Sequence, residues 1–173
     1  MITIRTKTVI YIQPIGHVDP EVLSFLKHSL ASISQAEMLN PIEVPEGAYD
    51  KARNQYEGSA ILDALPLKED AILGITEADA YVEGLNFIFG LAWGSRAFIS
   101  LWRLRPNLYD PIEDEDLLKQ RSLKEAVHEL GHVFGLKHCP NRRCVMHFSN
   151  SIRDTDFKDW KFCRSCERKV ATQ

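Results

Sequence analysis

Thr8 to Gln13 is an alternating run rich in β-branched residues that stops at Pro14, which predicts a strand. Asp19-Pro20 follows, a capping side chain and then a proline where the first helical residue tolerates one. Val22, Phe25, Leu26, Leu30 and Ile33 recur at helical spacing and predict an amphipathic helix to about Ala36. Pro41 to Pro45 reads as a short strand bracketed by prolines. Ala52, Tyr56, Ala60 and Leu62 give a second helical pattern from about Asp50 to Leu65, closed by Pro66. Ala71 to Thr76 is a continuous apolar run, as a buried strand would be. Asn86–Ala92 and Ala97–Arg103 flank a Gly94-Ser95 turn and predict an antiparallel pair. Pro106 to Asp116 holds five acids and reads as a solvated connector. Ser122 and Glu125 have capping-box spacing, so a helix is expected over 123–134, ended by Gly135 in the left-handed conformation. Strands alternating with helices, then a loop-rich end, give an α/β (α+β) class with a twisted mixed sheet.

The 173 residues, 45% of them hydrophobic, suffice for a core without disulfide staples. A single domain is expected over 1–173. Its sheet-and-helix part is 1–135, and its C-terminal part is 136–173. No apolar run approaches the ~20 residues of a membrane helix, and the N-terminal apolar stretch is too short for a signal peptide. A cytoplasmic setting with no membrane partner is therefore expected. Charge is uneven. Residues 1–120 carry 10 basic and 18 acidic side chains, whereas 121–173 carry 11 basic and 6 acidic. A basic tail can signal nucleic acid, but all four cysteines lie there. Four thiolates on one Zn²⁺ leave −2, which Arg142, Arg143, Lys161, Arg164, Arg168 and Lys169 would offset. Local compensation is the preferred reading, with nucleic-acid binding kept as an alternative.

The chemistry lies between residues 128 and 166. On a helix, His128 and His132 fall on one face a turn apart, where both imidazoles reach one ion at ~2.0–2.1 Å. Gly135 turns the chain so that His138 supplies a third nitrogen. Three protein ligands leave the open position that marks a catalytic zinc. Glu129 projects to the flank as a general base rather than a ligand. Cys139, Cys144, Cys163 and Cys166 form paired knuckles that suit a structural Zn²⁺, giving two Zn²⁺ per chain. Disulfides and an iron–sulfur cluster are the other readings of four cysteines.

His128-Glu129-x-x-His132-x-x-Gly135-x-x-His138 with a later methionine resembles the metzincin metallopeptidases. Cys139, Cys144-x-Met146 and Cys163-x-x-Cys166 narrow the resemblance to the archaemetzincins. Leu73-Gly-Ile-Thr, Phe89-Gly-x-Ala92 and Ser100-x-x-Arg103-Leu are similar too, so it spans about residues 70 to 166. It implies a metzincin α/β fold, with Asn86–Ala92 as the antiparallel edge lining the cleft and open to an extended peptide. It also implies Met146 as the floor beneath the histidines. His147 and Phe148 stand where some metzincins place a tyrosine, and His147 reads as a surface or supporting residue.

The expected function is a zinc-dependent metallopeptidase acting on short peptides. An aminopeptidase-like variant would need a carboxylate for the α-ammonium, for which Glu83 and the acids at 113–116 are candidates. A non-catalytic peptide-binding zinc module is the second class, and Glu129 argues against it. The sequence leaves oligomeric state open.

Overall fold

The computed structural model describes residues 8–111 and 114–171. In chain order its regular elements are β1 (Ile10–Ile15), α1 (Pro20–Leu30), β2 (Ala36–Met38), β3 (Tyr49–Asp50), β4 (Gln55–Glu57), α2 (Gly58–Ala64) and β5 (Ala71–Thr76). Then come β6 (Ala80–Tyr81), β7 (Gly90–Trp93), β8 (Arg96–Ser100), α3 (Glu115–Val133), α4 (Ile152–Phe157) and α5 (Arg164–Ala171). A five-stranded sheet runs in the order β2-β1-β5-β8-β7. All its neighbours are parallel except β7, which pairs antiparallel with β8 through Trp93↔Arg96 to Gly90↔Ile99. β3, β4 and β6 form a second, three-stranded sheet.

Period-two alternation sorts the large sheet's side chains into two cores. Ile10, Ile12, Leu73, Ile75, Ala97 and Ile99 pack with α1 and α3, while Ile15, Ile72 and Phe98 pack with α2. Because both faces are covered, β5 is buried along its whole length, which is why it reads as one apolar run. Leu26, Leu30, Leu73 and Ile99 are fully enclosed, each contributing about 1.5–3 kcal/mol.

Several expectations shift. β1 runs through Pro14 to Ile15, because β2 has ended at Met38 and no sheet partner there needs the missing N–H. The Pro14 carbonyl instead accepts the Ile42 N–H. Only Ile42, in an isolated bridge to Ile15, represents the strand expected between Pro41 and Pro45. α1 opens as expected, with Asp19 accepting the Glu21 N–H, but ends at Leu30, and Ile33 is buried from the following turn.

The helix expected over 50–65 is largely a hairpin. The Asp50 carboxylate takes the Ala52 and Arg53 N–H groups, and Asn54 sits at φ 53°, so the chain reverses before β4. Only 58–64 is helical, capped by Glu57. An antiparallel pair does form around Gly94 (φ 62°) and Ser95, but its first strand is only Gly90–Trp93, with 86–89 approaching it as irregular chain, and Trp102–Leu104 leaves the second as a 3-10 turn.

Part of the acidic connector is a helix start. Asp114 caps α3 by accepting the Leu117 N–H, and Glu115 and Asp116 favour the positive helix end. Glu113 lies outside the described residues. The capping box at Ser122 does not form; Ser122 Oγ bonds the Leu118 carbonyl from the third turn of a 19-residue helix. Gly135 does end α3, at φ 79°, and Leu136 N–H returns to the Gly131 carbonyl. The tail carries two helices, α4 and α5, where loops were expected. No described helix is long and apolar enough to cross a membrane.

Candidate active site

Residues 125–131 of α3 are buried on every side, so this polar stretch is held within the core. His128 Nδ1–H donates to the Val145 carbonyl at 2.7 Å, and His132 Nδ1–H to the Leu136 carbonyl at 2.8 Å. A carbonyl can only accept, so each ring keeps its Nε2 lone pair free. Those two Nε2 atoms are 3.2 Å apart, close to the ~3.3–3.4 Å edge of a tetrahedron with 2.0–2.1 Å zinc–nitrogen bonds. The loop after Gly135 brings His138 beside them, with ligand atoms of all three within 4.8 Å. Burial pulls His128 down to about 3, so it is neutral and ready to ligate at physiological pH. The residues present fit a zinc ion.

Met146 is fully buried beneath α3. A Cβ placed on Gly131 would collide with Met146 Sδ, so the sulfur occupies space that only glycine leaves open. Gly90 has the same relation to Glu129. A Cβ there would lie 2.7 Å from Glu129 Cγ, from its Oε1 and from the Phe98 carbonyl. The carboxyl is thus pressed between α3 and the backbone of β7. Burial, and then the nearby Glu125 charge, push Glu129 well above the usual carboxylate range, against the opposing pull of Lys158.

Glu125 and Lys158 form a buried ion pair at 3.0 Å, their side chains 3% and 0% exposed. Thr155 Oγ1 donates to the same carboxylate oxygen at 2.9 Å. Burial alone would raise the Glu125 carboxyl, but the Lys158 charge, His128 and these hydrogen bonds overcome it and lower the value. Arg121 clamps Asp156 bidentately at 2.7 and 2.8 Å, so two ion pairs dock the α4 segment onto α3.

All four cysteines are free thiols. Cys139 and Cys163 Sγ are 3.8 Å apart, as are Cys144 and Cys166. That is too long for a disulfide and equals the ~3.8 Å edge of a tetrahedral zinc–thiolate site. Such spacing suits one ion rather than a cluster with its thiolates on different irons. Cys139 N–H donates to the Met146 carbonyl and His147 Nδ1 to the Cys139 carbonyl, both at 2.9 Å, tying the knuckle to the methionine turn. His147 is a tether, as its supporting reading anticipated.

The histidines open onto a cleft of about 520 Å³. Phe87 to Ala92 forms one wall, and Phe148 to Asn150 the other. The acids proposed for an α-ammonium are elsewhere. Asp114 to Asp116 lie at the far end of α3, ~18 Å from His128 at 1.5 Å per residue, and Glu83 is exposed outside the cleft lining. The sequence assigned no role to Gly131, Gly90 or Lys158. A glycine inside a helix and one inside a strand both signal close approach. Lys158 carried no such signal.

A helix-borne glutamate beside three convergent imidazoles, over a buried methionine and under an antiparallel edge strand, defines a zinc metallopeptidase, a hydrolase. Residues 21–172 match the profile of Peptidase family M54, and the chain belongs to that family, the archaemetzincins. It is 51% identical to archaemetzincin from Methanocaldococcus jannaschii over 93% of this chain and 92% of the relative. With the Pyrococcus furiosus archaemetzincin it shares 48% over 95% and 93%. The crystal structure of the Archaeoglobus fulgidus archaemetzincin complexed with malonate superposes with a TM-score of 0.85 at 42% identity, covering 93% of this chain and 99% of that one.

Proposed function

We propose that this zinc metallopeptidase hydrolyses internal bonds of short, extended peptides in the cytoplasm. His128, His132 and His138 would hold the catalytic zinc, and Cys139, Cys144, Cys163 and Cys166 a second, structural one. Four free thiols accord with a reducing compartment.

The observation that carries this reading is the position of Glu129, wedged between the metal-facing imidazoles and the Gly90 backbone of β7. β7 ends its sheet, so an extended peptide can add to its outer edge through main-chain hydrogen bonds. Gly90 presents no side chain toward α3, so the carboxylate lies directly against the strand on which the peptide would pair. When bound, zinc supplies an acidified water and a Lewis acid for the scissile carbonyl. Glu129 takes the water proton and passes it to the departing amine, in a site dry enough to raise its proton affinity. The carbonyls of Val145 and Leu136 hold His128 and His132 in the tautomer that points Nε2 inward. Glu125 and Glu129 are the only acids among the described residues lining the cleft, and Glu125 is committed to Lys158. An α-ammonium therefore finds no spare carboxylate, which favours internal bonds over aminopeptidase action.

Glu129→Gln should keep two zinc ions per chain by metal analysis and lower peptide cleavage by about 10²–10⁴-fold. Equal product release by wild type and variant from a peptide library would sink the assignment.

A further inference from the structure

The cleft wall from Phe87 to Ala92 runs on without a break into Trp93, the last residue of β7. The register of β7 decides which of its groups a peptide can reach. Ser100 N–H donates to the Phe89 carbonyl at 2.8 Å, one step along the ladder that pairs Gly90 with Ile99. Hydrogen-bonded and non-hydrogen-bonded pairs alternate along an antiparallel ladder, so Phe89, Leu91 and Trp93 direct their main-chain groups to β8. Gly90 and Ala92 turn theirs to the free edge. Side chains alternate as well. Gly90 and Ala92 face α3, as the closeness of Glu129 to Gly90 and the packing of Ala92 show, while Leu91 packs on the α2 side. Trp93 therefore falls on the α2 side, where it is 78% exposed. Leu67 is 80% exposed, and no described large apolar side chain exceeds these two. Ser95 Oγ donates to the Lys68 carbonyl at 2.9 Å, which lays the segment of Leu67 against the tip of the same hairpin. Arg96, opposite Trp93 on β8, is engaged by Asp63 at 3.2 Å. An uncovered apolar surface thus continues directly from the strand edge.

We propose that Trp93 is a specificity residue for a remote position of the substrate, so that the enzyme favours peptides with an aromatic or large aliphatic side chain about three residues from the cleaved bond on one flank. The inference rests on the peptidase reading above. A peptide bonded to Gly90 and Ala92 sets one residue opposite Trp93 in a non-hydrogen-bonded pair, where facing Cα atoms lie ~4.5 Å apart and side chains meet most closely. That residue is about 10 Å along the strand from Gly90, against which Glu129 lies. An apolar side chain there covers the indole, and the contact holds the peptide in register along β7.

The test measures kcat/KM for peptides with a fixed cleavage centre and a single Phe or Ser scanned through each flanking position. Phe should exceed Ser by about three- to tenfold at one position, about three residues from the cut. Trp93→Ser should bring that Phe:Ser ratio close to one, and Trp93→Phe should keep most of it. Trimming the peptide back past that position and substituting Trp93→Ser should not add, since both remove the same contact. A ratio near one at every position, or a preference that persists in Trp93→Ser, overturns the proposal and leaves the peptidase reading standing. A binding arm adds the same peptides to zinc-loaded Glu129→Gln protein and follows tryptophan emission. A blue shift with the Phe peptide that is absent from Glu129→Gln/Trp93→Phe supports the contact even where wild type cleaves nothing, an outcome that removes the peptidase reading and keeps the peptide contact. Sedimentation that shows a dimer, lost in Trp93→Ser, assigns the patch to a second copy of this chain and overturns the proposal.

Discussion

Two of the three imidazoles sit on a 19-residue helix packed into the main core, and backbone carbonyls fix both rings. Three of the four thiols sit on loops, and the fourth, Cys166, lies in the first turn of an eight-residue helix. Regular structure therefore presets the histidine donors before any ion arrives. The cysteine region sends Cys144, Val145, Met146, Phe162 and Cys166 into the same core, but Cys139 and Cys163 are only half-buried on their loops, and an ion on the thiols would tie those loops down. His138 stands at the junction, positioned from one side by Gly135 and from the other by the Cys139 tether to Met146. A metal on the histidines would use the fold, and one on the cysteines would fasten its loops.

The largest expected effect follows from stripping metal. Structural zinc contributes about 10–16 kcal/mol in isolated zinc-finger peptides, so a chelator should release hydrogen-exchange protection across 139–166 while β1, β5 and β8 stay protected. Uniform loss of protection would break the contrast between the two donor sets.

Next in size is Lys158→Met, which leaves Glu125 buried without its partner and should destabilise by about 3–5 kcal/mol. The double variant Lys158→Met/Glu125→Leu should recover much of that loss in a thermal melt. If both variants melt alike, the pair is not what docks the tail onto α3. Gly131→Ala pushes Cβ into Met146 and should cost about 1–3 kcal/mol and weaken zinc retention at the histidines, read by metal titration. The cysteine site should keep its ion in that variant.

The smallest effect is a pH dependence. Glu125 is held below its ordinary 4.5 in the folded chain, so it adds stability above that value and loses it as pH falls through the lowered one. The urea midpoint of wild type should therefore fall more steeply below pH 4.5 than that of Lys158→Met/Glu125→Leu. Parallel curves would show that the pair contributes no acid sensitivity.

The chemistry was more legible in the sequence than the architecture. Metal ligation specifies residue type and spacing together, so 128–138 and the four cysteines could be read directly. The 50–57 hairpin was not, because Ala52, Tyr56 and Ala60 imitate helical spacing while Asp50 and Asn54 bend the chain through side-chain and left-handed backbone preferences. Ser122 and Glu125 copied a capping box inside a longer helix whose true cap, Asp114, was hidden in a run of acids. Glu125 was taken up by Lys158, 33 positions away, a partnership that no local pattern announces.

Met146 and Gly131 together act as a detent. The notch left by one absent methyl group admits the sulfur at a single rotation of α3, so the helix is indexed about its axis as a ratchet wheel is by its pawl. Turning α3 by one residue, ~100°, would present a side chain to the methionine and swing both imidazoles off target. What the floor beneath the histidines sets is thus an angle, and every ligand direction on that helix inherits it.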